Sequence, residues 1–360
     1  MHKKICKALL AVGLGAVLCL NGCSDSKSKG AQSQTQAQQV TRISGKTMGT
    51  FYGVIVPGGY SKGEAELRKL SEDTFQKICD SISTFDPKAE LALFNEHKST
   101  SPFPISEYLA RVIQECNHIS RRIDGAMDIS VGPLVNLWGF GKDKATHQSP
   151  SAEQIAAAQK LVGLDVYQVR NTPNGSLLIK KDPNVRLDLS TVGEGLGADA
   201  VASILIKEGV KDFFVNVAGA NRSRGFNPKG ELWRVGIEDP TNPDHNVFAV
   251  VCPRNQAMST AGSYRNFFKD EKNGTFYSHI IDPSTGRPVD HSTVSVTVIG
   301  HSALTTDALD TGLLVLGADK ALDWANKYQV PIYTIEYKDG KAVGRYSQAF
   351  EQYLKCDLKR

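Results

Sequence analysis

The chain has 360 residues, with 42 Lys plus Arg against 38 Asp plus Glu and a formal charge of +4. Residues 1–22 hold Lys3, Lys4 and Lys7 and no acid, so the remainder is close to neutral. No basic stripe with interleaved aromatics is present, which argues against a nucleic-acid partner. No G-x-G-x-x-G follows a strand and no G-x-x-x-x-G-K-(S/T) occurs, so the standard dinucleotide and P-loop solutions are absent.

In chain order, the first segment reads as an address rather than a fold. A lysine start precedes an apolar run, Ala8 to Leu20, that is too short to span a bilayer comfortably. It ends in Leu20-Asn21-Gly22-Cys23, which resembles a bacterial lipobox with Cys23 as the lipidated residue. An uncleaved N-terminal anchor is the alternative. Residues 24–41 are Ser, Gln, Lys and Ala with almost no large apolar side chain, the composition of a flexible tether. The expected division is a signal peptide over 1–22, a tether over 23–42 and one folded domain over 43–355. Its body would face the far side of a membrane, held by lipid. Cys79, Cys116, Cys252 and Cys356 remain after the signal, widely spaced and without C-x-x-C. They form no zinc pattern. Each reads as a small buried hydrophobe or as half of a disulfide whose pairing the spacing does not reveal.

Within the body, Thr50–Val56 reads as a strand. Residues 63–84 and Ser106–Ile123 carry apolar side chains at helical spacing. A third helix opens at Pro150-Ser151-Ala152-Glu153-Gln154, a capping-box signature. Short strands follow at Ser176–Lys180, Arg186–Leu189, Asp212–Val217, Trp233–Glu238, Val247–Cys252, Phe276–Ile281 and Val294–Ile299, with one helix at Ala198–Lys207 among them. Early helices and late strands predict an α+β fold of mainly antiparallel sheets with flanking helices.

Near the C-terminus runs Thr305-Thr306-Asp307-Ala308-Leu309-Asp310-Thr311. On a helix Asp307, Asp310 and Thr311 stand at i, i+3 and i+4 and share a face. Leu304, Ala308, Leu309 and Leu313 to Leu316 predict that protein surrounds the helix. Two close, buried carboxylates repel and resist ionisation. A hard cation such as Mg2+, bound through oxygen ligands and substrate phosphate, resolves both difficulties. The plainer alternative is a helix start at which Asp307 complements the dipole and Thr305 or Thr306 caps.

Five other segments have more polar and glycine residues than connectors need: Gly45–Thr50, Asp124–Pro133 leading to Asn136–Gly141, Leu187–Gly195, Asn216–Gly225, and Ser259–Arg265 followed by Tyr277–Pro288. With these the chain resembles the ApbE family over nearly all of residues 43–350. The motifs that carry the resemblance are Asp124-Gly125-Ala126-Met127-Asp128 through Trp138-Gly139-Phe140-Gly141, Ser278-His279-Ile280-Ile281-Asp282-Pro283 through Pro288, and Asp307 to Gly312.

The resemblance implies a T-fold-related, ApbE-like single domain. It also implies a periplasmic, lipid-anchored, Mg2+-dependent transferase, with the inner membrane preferred. Such an enzyme moves FMN from FAD, its substrate, to a Thr or Ser hydroxyl and releases AMP. Residue by residue, Met48, Ala126, Met127 and Asp128 match positions lining the flavin and adenine pocket. Phe85 stands where a relative has a ligand-stacking tyrosine. Asp188, Glu194 and Ile281 match ligand contacts. Thr191, through its carbonyl, and Asp307, Asp310 and Thr311 match metal ligands. His279 and Asp307 are the catalytic candidates, with Arg265 or Arg287 offsetting diphosphate charge. Trp138 and Phe140 are aromatic enough to stack on flavin, but read better as core.

Two departures stand out. Ser190-Thr191-Val192-Gly193-Glu194-Gly195 replaces a frequent Gly-Gly-x-x-Lys-Gly, and Ala218 replaces the first glycine of a Gly-Gly pair. The family's acceptors carry D-x-x-(S/T)-G-A-(S/T), which this chain lacks. The implied partners are therefore other proteins, the subunits of NADH:quinone or ferredoxin-type membrane complexes. Two rivals remain at this point, an FAD pyrophosphatase giving FMN and AMP, and a non-catalytic flavin-binding lipoprotein.

Overall fold

The structure, a computed structural model, describes residues 39–142, 148–241, 246–264 and 266–358. Cys23, the signal and most of the tether lie outside the described residues, as does Arg265. The first strand starts at Val40, so residues 40–42, read above as tether, belong to the fold.

An eight-stranded sheet forms the centre, in the order Val40–Thr47, Thr50–Pro57, Phe213–Val217, Ala220–Arg224, Ala257–Gly262, Thr293–Gly300, Ile332–Lys338 and Lys341–Tyr346. Every neighbouring pair is antiparallel. The first hairpin explains the Gly45–Thr50 segment. Thr47 pairs with Thr50, leaving a two-residue turn in which Met48 and Gly49 have φ of 50° and 76°, as the tight twist-matched turn requires.

The helices are α1 (Glu64–Ile82), α2 (Glu90–Glu96), α3 (Glu107–Arg122), α4 (Gly132–Leu137), α5 (Ala152–Gln159), α6 (Gly193–Lys207), α7 (Ala303–Leu316) and α8 (Ala318–Tyr328). Ser106 caps α3 by accepting from Leu109 N, and Ser151 with Gln154 completes the expected capping box on α5. One sheet face buries Val54, Val215 and Val217 against Phe75 of α1 and Val201 and Leu205 of α6. Further along, Val296 and Val298 meet Leu309 and Leu313 of α7. Each such side chain contributes about 1.5–3 kcal/mol by leaving water. The opposite face carries Met258, Ile299, Tyr333 and Ile335. They pack on a hairpin (Val235–Glu238 with Val247–Val251) and on a 3-10 segment, Gln348–Leu354. A smaller sheet joins Phe103–Ile105, Gly175–Lys180 and Tyr167–Thr172.

Three expectations change. Arg186–Leu189 forms no strand ladder, and the Asn95 side chain takes the place of a partner strand. It donates to Leu187 O and accepts from Leu187 N, both at 2.8 Å. Helix α6 starts at Gly193, five residues before Ala198, so Glu194 lies in its first turn. Its glycines read as a loop in isolation, yet a Cβ on Gly195 would stand 2.3 Å from Ala303 O. The close crossing of α6 on α7 therefore demands glycine. Phe276–Ile281 is broken into Phe276–Ser278 and Ile281–Asp282 with His279 between them.

Cys252 and Cys356 form a disulfide with Cα atoms 5.6 Å apart, while Cys79 and Cys116 are free. The small-hydrophobe reading therefore fails for the first two.

Candidate active site

Helix α7 is largely buried around its circumference, and Ser302, not Thr305 or Thr306, caps it by accepting from Thr305 N. Asp307 and Asp310 are 7% and 1% exposed. Asp307 accepts hydrogen bonds from Ser259 Oγ at 2.7 Å and from Gly195 N at 2.8 Å. One turn on, the Thr191 hydroxyl donates to Thr311 Oγ1 at 2.8 Å, and Thr311 Oγ1 donates to Asp310 Oδ1 at 3.3 Å. Asp310 Oδ2 is buried without a hydrogen-bond partner. Thr191, Asp307, Asp310 and Thr311, chosen by spacing and resemblance, therefore converge.

Burial first, then the neighbouring Glu194 charge, pushes the Asp307 carboxyl well above the usual carboxylate range. Burial and then Asp307 push Asp310 up as well. A buried carboxylate oxygen with no donor is costly. Here it stands beside a second carboxylate and the Thr311 hydroxyl, with Thr191 joined to Thr311 through its own hydroxyl rather than only offering the expected carbonyl, an all-oxygen donor set suited to a hard divalent cation. The four residues fit a Mg2+-like ion.

These side chains line a cleft of about 810 Å³. Phe85, Ala126, Met127, Asp128, Asp188, Glu194, His279 and Ile281 line it too. Asp128 is held by Ser130, whose N and Oγ both donate to its Oδ1, and burial raises its pKa. Gly312 lets the Ala126–Asp128 turn rest on α7, since a Cβ there would stand 3.0 Å from Met127 Cβ. Asp188 faces the cleft while Leu187 and Leu189 are fully buried, and Ser190 N donates to it at 2.8 Å. Glu194 Oε2 accepts from Gly219 N at 3.2 Å. Phe85 is 63% exposed at the rim.

His279 is half-buried. Its Nδ1–H donates to Asn266 O at 3.0 Å, which leaves Nε2 as an acceptor. Burial lowers its pKa, so the ring is neutral near pH 7.

Some expected residues sit elsewhere. Met48 is at the hairpin tip, packed against the core beside the cleft-lining Thr50 and Phe51, and is not itself a lining residue. Trp138 is core, with its indole N–H on Gly286 O at 2.8 Å, whereas Phe140 reaches the cleft and lies edge-on to His279. Arg287 is exposed and is not among the lining residues. Ala218 occupies a hairpin turn at φ 46°, so its methyl group adds backbone strain where glycine would sit freely. Sequence reasoning missed the hydrogen bond that Ser259 gives Asp307. Ser259 lay inside a segment flagged for its polarity, which was the available signal.

An antiparallel sheet, a helix carrying paired buried carboxylates and a histidine lining the same cleft define an α+β protein with a candidate oxygen-donor cation site, and comparison narrows it. The profile of the ApbE family matches residues 48–334, and the chain belongs to that family. An FAD:protein FMN transferase of Escherichia coli K12 is 43% identical over 342 residues, covering 95% of this chain and 96% of the relative. The solved flavin transferase ApbE from Vibrio cholerae superposes with a TM-score of 0.79 at 34% identity, covering 88% of this chain and 100% of that one. The apo flavinyl transferase ApbE of Pseudomonas stutzeri gives 0.78 at 29% identity, covering 89% and 98%.

Proposed function

We propose that the protein is a Mg2+-dependent flavin transferase that moves FMN from FAD to a threonine or serine hydroxyl of a partner redox protein and releases AMP. The observation that carries this reading is the buried Asp307–Asp310 pair, with its unpartnered oxygen, in the same cleft as His279. Thr191, Asp307, Asp310 and Thr311 would hold the cation, which when bound neutralises and orients diphosphate oxygens.

The protein's own groups supply the rest. His279 Nε2 takes the proton of the acceptor hydroxyl, whose oxygen forms a bond to the FMN phosphorus. The bond from that phosphorus to the bridging oxygen breaks, and AMP leaves with the electron pair. Asn266 O fixes the productive tautomer. Asp128 and Asp188, both locked by short turns, shape the walls that orient the nucleotide. A non-catalytic flavin carrier leaves the costly carboxylate pair without a use.

Acceptors carrying D-x-x-(S/T)-G-A-(S/T), in NADH:quinone or ferredoxin-type membrane complexes, are the proposed partners, because this chain has no such hydroxyl of its own. The lipobox-like Cys23 supports attachment to the periplasmic face of a membrane, and the Cys252–Cys356 disulfide suits an oxidising compartment. Cell fractionation checks the anchor. The native chain stays with membranes and Cys23→Ser becomes soluble, whereas equal retention of both contradicts lipidation.

The reaction is tested by mixing purified protein, FAD, Mg2+ and an acceptor subunit and reading in-gel flavin fluorescence. Labelled acceptor is expected, and His279→Gln should slow labelling at least about 100-fold while FAD still binds. Free FMN and AMP with no labelled acceptor would assign a pyrophosphatase instead.

A further inference from the structure

We propose that Asp199 is a positioning residue for the carboxylate pair: seated on α6, it holds the N-terminus of α7 and so sets where Asp307 and Asp310 stand relative to Thr191. This rests on the reading of those residues as cation ligands.

Asp199 Oδ2 accepts from Ser302 Oγ at 2.8 Å and from Leu304 N at 3.1 Å. Leu304 N is one of the first-turn amides that a helix cannot satisfy internally, and a carboxylate there also complements the helix dipole. Helix α7 already has its own cap, Ser302 Oγ accepting from Thr305 N at 3.2 Å. Asp199 is therefore not needed to start the helix. What it adds is a fixed point between two helices.

That point matters because the ligand set is divided between them. Thr191 lies in the 3-10 turn that runs directly into α6, while Asp307, Asp310 and Thr311 ride on α7. Asp307 follows Leu304 by three residues, just under one helical turn, so a shift at Leu304 is carried along the helix to Asp307. Gly195 N on Asp307 and the tight Gly195–Ala303 crossing hold the same two helices together closer to the site.

Asp199 is itself anchored from the sheet. Arg222 Nε lies 3.6 Å from Asp199 Oδ1, and Arg222 Nη1 is buried without a hydrogen-bond partner. Sheet, α6 and α7 thus meet at one carboxylate. A strand residue, a mid-helix acid and a helix start are tied together within one turn of the proposed ion site.

The test is Mg2+ affinity of the purified full-length protein by titration calorimetry, read beside its metal-free melting temperature. Asp199→Asn keeps the shape but removes the charge and one acceptor. It should bind Mg2+ about tenfold more weakly, the size seen when groups behind a ligand are changed, while the metal-free protein melts within a few degrees of the native one. Wild-type affinity in Asp199→Asn overturns the proposal, and so does a loss confined to melting temperature. Should Asp199→Asn fail to fold, Ser302→Ala is measured in the same way. A smaller loss of affinity is expected there, and unchanged affinity overturns the proposal. A native protein that takes up no divalent cation overturns both this proposal and the reading beneath it.

Discussion

Asp310 Oδ2, a carboxylate oxygen shut away from water with no donor, is the most telling atom in the protein. Without a cation, the surroundings favour protonated Asp307 and Asp310, since burial raises both, with the Glu194 charge adding at Asp307 and the Asp307 charge adding at Asp310. The folded protein then holds protons that the unfolded chain releases. Stability without metal is therefore full below the ordinary carboxylate value of 3.8. It falls as pH rises toward the folded value of Asp307, about 8. The slope is at most about 1.4 kcal/mol per pH unit for each group. A Mg2+ ion bound as proposed would displace those protons, so its stabilising effect should grow with pH. Thermal unfolding with and without Mg2+, at about pH 5 and about pH 8, checks this. A larger gain at the alkaline pH is predicted, and a gain independent of pH would contradict it.

At the scale of elements, what was legible followed local chemistry. Helices α1 and α3 announced themselves by apolar spacing and α5 by its capping box, while α7 was a conditional helix whose apolar residues predicted its burial. Asp307, Asp310 and Thr311 shared a face because helical geometry left no other choice. The rest depended on distant contacts. Gly193 to Gly197 looked like a loop until the crossing of α6 on α7 supplied the reason for glycine at 195. Leu187 found its hydrogen bonds in a side chain 92 residues away rather than in a strand. Ser259–Gly262, part of the Ser259–Arg265 segment flagged as more polar than a connector needs, lies in the inner strand Ala257–Gly262, which presents Ser259 to Asp307. Convergence of Thr191 on α7 came from resemblance, since nothing local links residue 191 to residue 311.

For the whole molecule, the sheet is a frame that keeps two kinds of group apart until they meet in the cleft. One face supports α6 and α7 and hence the carboxylates. The hairpin against the other face contributes Val235, Gly236 and Glu238 to the cleft wall. The Cys252–Cys356 bridge, closing a span of 104 residues, ties that hairpin to the C-terminal segment. The account requires that these parts act on one bond, the diphosphate bridge of FAD. AMP release from FAD at saturating Mg2+ and acceptor, compared between the native protein and Asp307→Asn, tests it most directly. A fall of at least about 1000-fold, roughly 4 kcal/mol of lost transition-state stabilisation, is predicted in a variant that remains folded. Release at the native rate by folded Asp307→Asn would contradict the account.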